Sequence, residues 1–411
     1  MTIGPEISET ACPTGLRFER MHNSGRKLLL HIGTHKTGTS SIQKALYENQ
    51  ACLDDLGYKF YFRGKGGVDR KTGISGGWFD RNEDPRDGLR LSKELAETLG
   101  NTEGNILFCQ ENLSWVFSRE TIQSFHEELK KHFEHISIVI YIRRQDKLAI
   151  SHHQQGSKST EFFSSVFYGS ENKALPSYQD YFQKYLNFHE RIALWTDAFG
   201  KDQVQPRVFD KKYLFGEDVV SDFFNMLGAT ETIRTDWVNE SNGFVRTKVN
   251  HLFNRIDMER HRREKLNRRL DNSGRLAPLR QEATDFYSHF RESNCKLNQQ
   301  FNLTPEEFLF DDDFSSYPNA PGDEWTEDSA NDAILSLLVG IKSIPAIWQG
   351  NANILLQCIS VLKEIDIQSA SELQQLYDKY YPDHARPGLS RSFRDRSARM
   401  SRKIMSLLTN S

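Results

Sequence analysis

The chain reads as an α/β protein, a P-loop-type parallel sheet flanked by helices with a helical C-terminal extension. Three observations predict this. Short apolar runs alternate with helical patterns along most of the chain, the arrangement that gives a parallel sheet covered on both faces. A loop with two spaced glycines joins the first apolar run to the first helix. Beyond about residue 318, helical periodicity continues with no further strand pattern.

The first strand is Lys27-Leu-Leu-Leu-His-Ile32, too short for a buried helix and ending at a glycine. Ser40 to Glu48 follows with Ile42, Ala45 and Leu46 at helical spacing, so the residues between are a strand-to-helix loop. Further strands are expected at Tyr58–Phe62, Ile106–Gln110, Ile136–Arg143 and Val204–Phe209. Helices are expected at Thr121–Phe133, Tyr178–Phe199 and Val219–Leu227. The glycine-rich, charged stretch Arg63–Pro85 lacks an apolar period and reads as a long loop, a candidate lid or acceptor wall. Asp311-Asp-Asp313 with Tyr317-Pro318 reads as a turn closing the main domain, and Pro318–Glu327 as a linker. Helical patterns follow at Ala333–Ile344 and Ile354–Ile365, and Arg391 to Leu408 is a basic amphipathic tail. The expected organisation is therefore an N-terminal extension over 1–26, a main domain over 27–318, and a helical extension with a basic tail over 319–411.

Composition narrows the function classes. Of 411 residues, 27% are charged and 37% hydrophobic, with a formal net charge of -3, which fits a globular protein and gives no global attraction for nucleic acid. The five cysteines, Cys12, Cys52, Cys109, Cys295 and Cys358, are widely spaced without a CxxC pair, so the expectation is reduced thiols and neither a zinc cluster nor a disulfide framework. With no signal-type or membrane-spanning apolar segment, the expected location is cytoplasmic.

The loop Gly33-Thr-His-Lys-Thr-Gly-Thr-Ser40 has its glycines at P-loop separation. Amides turned inward at a helix N-terminus form a cradle for an anion. Thr39 stands where a nucleoside triphosphatase places its phosphate lysine, and the lysine comes earlier, as Lys36. His35-Lys-Thr-Gly-Thr-Ser40 resembles the 5'-phosphosulfate loop of sulfotransferases that use 3'-phosphoadenylyl sulfate (PAPS). The resemblance implies that Lys36 contacts the phosphosulfate near its bridging oxygen, while Thr37, Gly38, Thr39 and Ser40 supply backbone and hydroxyl donors. Ser41 stands where many relatives of the small-molecule type carry a tryptophan.

After the strand ending at Ile142 comes Arg143-Arg-Gln-Asp-Lys-Leu-Ala-Ile-Ser151, similar to the same family's 3'-phosphate element. There Arg143 and Ser151 are implied to hold one phosphate through a charge-assisted fork and a hydroxyl. Gln145 replaces a frequent proline. The segments Ile106–Asn112, Trp195–Gly228 and Leu309–Pro318 resemble a bacterial, carbohydrate-directed branch, so the likeness covers roughly Lys27 to Pro318. Glu111, after the Ile106–Gln110 strand, is the implied base for the acceptor hydroxyl; His35, His152 and His153 are weaker candidates. No metal is expected.

The implied activity is sulfuryl transfer from PAPS to a hydroxyl of a carbohydrate or glycolipid, such as an exopolysaccharide, a lipopolysaccharide or a lipo-oligosaccharide. Two alternatives remain at this stage: a P-loop kinase-like phosphotransferase and a non-catalytic nucleotide-binding protein. The basic tail Arg386–Lys403 has two readings, contact with an anionic membrane surface or partner, and packing on the body of the protein. The basic stretch Met258–Arg280 reads equally as a solvated helix face.

Overall fold

The computed structural model describes residues 8–11, 17–20, 25–61, 78–159, 163–233, 242–256, 258, 260–320 and 322–342, with isolated positions at 359–360, 371, 374–375 and 378. Strands are β1 (Ser8–Ala11), β2 (Arg17–Arg20), β3 (Lys27–His31), β4 (Tyr58–Tyr61), β5 (Phe79–Arg81), β6 (Leu89–Leu91), β7 (Asn105–Cys109), β8 (His135–Ile142) and β9 (Val204–Val208). Helices of the main unit are α1 (Thr39–Glu48), α2 (Gln50–Asp55), α3 (Glu94–Gly100), α4 (Arg119–Leu129), α5 (Gln145–Gly156), α6 (Phe163–Phe167), α7 (Gln183–Leu186), α8 (Phe188–Phe199), α9 (Val219–Met226), α10 (Phe244–Arg255), α12 (Arg280–Ser288) and α13 (Arg291–Phe301). Between and beyond them lie α11 (Arg260–Asn267) and α14 (Glu327–Lys342).

The centre is a five-stranded parallel sheet in the order β4-β7-β3-β8-β9. Its inner strands β7, β3 and β8 are near-continuous apolar runs because both of their faces are covered. Alternate residues go to opposite sides. Leu28 and Leu30 of β3, Ile106 and Phe108 of β7, and Ile136, Ile138, Ile140 and Ile142 of β8 join one core. That core also takes residues of α3, α4, α5, α8, α12 and α13. Leu29, Leu107, Cys109, Val139 and Tyr141 face the other way, onto Ile42, Ala45 and Leu46 of α1, Leu53 of α2, and Phe223 and Phe224 of α9. The expected α/β sheet and its strand positions are present, with helices on both faces.

Several local expectations change. Tyr178–Phe199 is not one helix: Asn187 breaks it, its Oδ1 accepting from the amide of Glu190 at 3.2 Å as the cap of α8. Within the expected loop Arg63–Pro85, residues 63–77 lie outside the described set, but Phe79–Arg81 pairs antiparallel with Leu89–Leu91 across a turn holding Pro85. In the expected linker Pro318–Glu327, the Pro318 carbonyl accepts the amide of Arg280 at 2.9 Å and Asp323 accepts that of Ala174 at 2.8 Å. Cys52 is disulfide-bonded, whereas Cys109 and Cys295 are free; sequence spacing alone, which suggested reduced thiols throughout, carries no information on which cysteines meet in space. Of the expected helix Ile354–Ile365 only 359 and 360 are described, both helical, and the basic tail Arg386–Lys403 falls outside the described residues.

The chain divides into two compact units, one of residues 1–254 and 272–325, the other of 255–271 and 326–411. In the second, the absence of a side chain at Gly340 of α14 leaves room for Leu266 and Arg269, whose side-chain carbons lie 3.4 Å from where its Cβ would stand. Among the described residues no helix is long and apolar enough to cross a membrane.

Candidate active site

The sheet places the glycine loop at the C-terminal end of β3, its central strand. Pairing with β8 runs past the strand, Tyr141 donating to Gly33 O at 2.7 Å and Thr34 donating to Tyr141 O at 2.8 Å. Anchored on that side, the chain then turns sharply through Lys36 (φ 61°) and Gly38 (φ 80°) into α1. Gly38 is required twice over: its φ is in the left-handed region, and a Cβ there would lie 2.6 Å from Val219 Cγ1. Gly33 lets Glu111 approach, since a Cβ on it would meet Glu111 Cα at 3.3 Å.

The loop's hydroxyls and amides have separate tasks. Thr37 Oγ1 donates to Thr34 O at 2.6 Å and Thr39 Oγ1 lies 3.4 Å from the same carbonyl, both hydroxyls buried. They brace the turn. The amides of Lys36, Thr37, Gly38, Thr39 and Ser40 make no hydrogen bond among the described residues, and Ser40 is exposed. A set of unspent N–H groups at the N-terminus of a ten-residue helix is an anion cradle.

Three further expected site residues border this cradle. Lys36 is half-buried, and burial, reinforced by the charges of Lys158 and Arg143 against that of Glu111, lowers its pKa to about 8. Arg143, at the end of β8, donates from Nη1 to Lys36 O at 3.2 Å, and its guanidinium lies 5.7 Å from the centre of the Phe209 ring. Among the described residues it has no carboxylate partner within ion-pair distance. Glu111 opens the short 3-10 turn Glu111–Trp115 that follows β7, with Oε1 3.8 Å from His35 Nε2 and its side chain 31% exposed. Ser151 stands on α5 two turns beyond Gln145, half-buried; no hydrogen bond ties it to Arg143.

Arg144, adjacent in sequence, does different work. Its Nε and Nη2 meet Asp146 Oδ1 and Oδ2 at 2.8 and 2.9 Å, and Nη1 meets Asp311 Oδ1 at 2.7 Å and Asp313 O at 2.8 Å. Tyr317 donates to Asp146 at 2.6 Å, and the Phe314 ring lies 4.2 Å from the Arg144 guanidinium carbon. The closing segment Leu309–Pro318 is thus clasped to the start of α5. Gln145 exploits the side chain a proline would lack, exchanging hydrogen bonds with Asn294 at 2.8 and 3.0 Å and donating to Leu186 O at 3.1 Å.

The histidines are buried and neutral in tendency. Desolvation lowers the pKa of His35 and pushes that of His152 well down. His153, brought to about 4 by burial, pairs with Glu171 O at 3.0 Å. His35 stacks on His152 at 4.7 Å and His153 on His251 at 4.1 Å. His152 and His153 are both buried. What sequence reading missed is the group behind the loop, Tyr185 and Arg191 from α7 and α8, together with Lys158 after α5. Their separation in sequence from the loop gave no signal of this. Among the described residues no group of three His, Cys, Asp or Glu side chains is placed to hold a metal ion.

No protein-family model matches the chain. An uncharacterized protein of Archaeoglobus fulgidus is 27% identical over 187 residues, 43% of this chain and 48% of that protein, so the match spans about half the relative's length. Among solved structures, a sulfotransferase from Alicyclobacillus acidocaldarius is similar at a TM-score of 0.35 and 15% identity, over 68% of this chain and 98% of that one.

Proposed function

We propose that this chain is a sulfotransferase that moves a sulfuryl group from PAPS to a carbohydrate hydroxyl. One observation carries the reading: Arg143, from β8, lies against the backbone of Lys36 in the loop after β3. The two segments that resemble donor-site elements, more than a hundred residues apart in sequence, therefore border one another, and each brings an uncommitted group for an anion. Among the described residues, the loop offers amides without partners and Lys36, and Arg143 offers a guanidinium without a carboxylate partner. A ligand with phosphates at both its 5' and 3' positions matches a cradle and a separate arginine better than a linear triphosphate does.

The chemistry asks for an in-line acceptor oxygen, donors for the moving group and relief of charge on the leaving phosphate. In the reaction the acceptor oxygen bonds to sulfur, the bond from sulfur to the bridging phosphate oxygen breaks, and 3',5'-ADP leaves. The free amides bind and orient the anion. Lys36 offsets charge that grows on the bridging oxygen, and Glu111, beside it and partly open to solvent, takes the acceptor's proton. Arg143 and Ser151 select the 3'-phosphate. The acceptor's class, carbohydrate or glycolipid, rests on the resemblance of the Ile106–Asn112, Trp195–Gly228 and Leu309–Pro318 segments.

Thermal shift with 3',5'-ADP against ATP plus magnesium tests the donor, because a ligand that binds the folded state raises apparent stability by mass action. Stabilisation by 3',5'-ADP alone supports the reading; stabilisation by ATP alone turns it toward a kinase-like phosphotransferase. Labelled PAPS with a panel of cell glycans then tests the acceptor, and label transferred only to small alcohols would discard the carbohydrate assignment.

A further inference from the structure

Behind the cradle sits a buried polar cluster that the proposed chemistry leaves without a role. The amide of His35 donates to Tyr185 Oη at 3.1 Å, and the same oxygen lies 3.2 Å from His35 Nδ1. Having accepted from the amide, Tyr185 has its own proton to give to Nδ1. Ser114 Oγ, 3.4 Å from Nδ1, directs its proton to Glu111 O at 2.7 Å. On the opposite edge of the ring, Nε2 faces Glu111 Oε1 at 3.8 Å. A bare Nε2 lone pair turned toward a carboxylate is repelled by it, whereas an Nε2–H is attracted.

Behind Tyr185 lies Arg191, fully buried, its guanidinium carbon 4.7 Å from the centre of the Tyr185 ring and 5.2 Å from that of Phe188. Its Nη1 reaches Ser114 O at 3.5 Å, while Nε and Nη2 find no acceptor among the described residues. A buried guanidinium with no carboxylate partner among the described residues is costly. Placed on the ring face of Tyr185, it strengthens the phenol as a donor and opposes any second positive charge nearby. The titratable or charged groups around His35 are Glu111 after β7, Lys36 in its own loop, His152 from α5, Tyr185 from α7 and Arg191 from α8. Of these only Glu111 favours an imidazolium; the amide of Asn112 adds to it, and burial, Lys36 and Arg191 oppose it.

We infer that Tyr185, backed by Arg191, holds His35 as the neutral Nε2–H tautomer, and that His35 in this form is a positioning residue for the Glu111 carboxylate. The inference rests on the reading of Glu111 as the acceptor's base. His35 neither takes the acceptor's proton nor touches the donor; it fixes the direction in which Glu111 presents its oxygens. Choice of tautomer by the partner of the other ring nitrogen is the general rule for histidine.

Nitrogen-15 NMR of histidine-labelled protein reads the tautomer directly, with His35→Gln used to assign the signal. Wild type is expected to show Nε2–H at His35 between about pH 6 and pH 8. Tyr185→Phe should mix the tautomers and slow single-turnover sulfation roughly 10- to 100-fold, the cost of a misdirected catalytic group, with 3',5'-ADP affinity unchanged. His35→Gln, whose amide can place an N–H toward Glu111, should keep more of the rate than His35→Phe. A wild-type Nδ1–H signal, or a Tyr185→Phe protein with unaltered tautomer and rate, overturns the inference. A wild-type protein that shows the tautomer yet binds no 3',5'-ADP sinks the donor assignment instead.

Discussion

Arg143 rests its guanidinium 3.2 Å from the backbone carbonyl of Lys36, while Arg144, one residue on, is buried and turned onto Asp146, Asp311 and the Phe314 ring. Consecutive residues leaving a strand point in opposite directions, so one arginine serves the cradle and the other the fold. Their substitutions should fail in different assays. Arg143→Ala should leave the melting temperature almost unmoved and weaken 3',5'-ADP roughly 10- to 100-fold, the range of a charge-assisted hydrogen bond, with a much smaller effect on 5'-AMP. Arg144→Leu strands the buried Asp146 carboxylate and should cost about 3–5 kcal/mol of stability. Equal loss of both nucleotides in Arg143→Ala would remove the 3'-phosphate role.

Gly38→Ala is expected to disable the cradle. The new Cβ collides with Val219 Cγ1, and the residue must still adopt φ 80°. Pairing it with Val219→Ala relieves the collision but not the backbone strain, which costs of order 1–3 kcal/mol. Isothermal titration should therefore find 3',5'-ADP binding lost in the single variant and only partly restored in the double one. Full restoration would mean that crowding alone selects glycine here.

Donor binding should weaken with alkali. The pKa of Lys36 is lowered to about 8, so in the free protein the ammonium is present below that value and is lost as pH rises through it. The bound anion favours the charged form, so affinity for 3',5'-ADP should be level below about 8 and decline above it. Lys36→Arg, whose charge persists, should bind with a flat profile over the same range. A wild-type affinity indifferent to pH would show that the lysine does not meet the anion.

Glu111 and Lys36 should separate binding from turnover. Glu111→Gln retains the shape and loses the proton-accepting oxygen, so 3',5'-ADP affinity should survive while single-turnover sulfation drops roughly 10²- to 10⁴-fold. Lys36→Ala should lose both, since a cation beside the phosphosulfate attracts it in the ground state and more strongly as leaving charge develops. Wild-type turnover by Glu111→Gln from about pH 5 to pH 8 would move the base elsewhere.

Acid should unfold the protein through its buried histidines. Burial lowers His31 from 6.5 to about 3 and His153 from 6.5 to about 4. Below 6.5 the unfolded chain therefore binds protons that the folded one refuses. Stability is complete above that pH and falls as pH drops toward the folded values, by about 1.4 kcal/mol per unit for each such histidine. Urea unfolding at a series of pH values measures the slope, and His153→Gln should make it shallower. A midpoint constant down to about pH 5 would contradict this account.

Much of the fold was legible in sequence because a parallel sheet buried on both faces writes itself as short, continuous apolar strings. The strings at Lys27–Ile32 and Ile136–Arg143 end within one residue of the strands they predict. The break at Asn187 was not read from the sequence, because strong apolar periodicity on either side of it conceals a cap that is decided by one side chain. The pairing of Phe79–Arg81 with Leu89–Leu91 was hidden for the opposite reason, three-residue strands being too short to show a period.

The candidate site divides along the same line. Local chain order determined the cradle: two glycines, a lysine and a helix start within eight residues fix where amides point, whatever the rest of the protein does. Chain order also put an arginine at the end of β8 and a glutamate after β7. Tertiary structure decided which arginine faces the loop, because Arg143 and Arg144 are chemically identical and only the sheet's pairing of β8 with β3 distinguishes their directions. It also brought Tyr185 and Arg191 behind His35 from 150 and more residues away. Sequence specifies what each side chain can donate or accept, and packing against distant segments specifies which partner is within 3 Å or so to receive it.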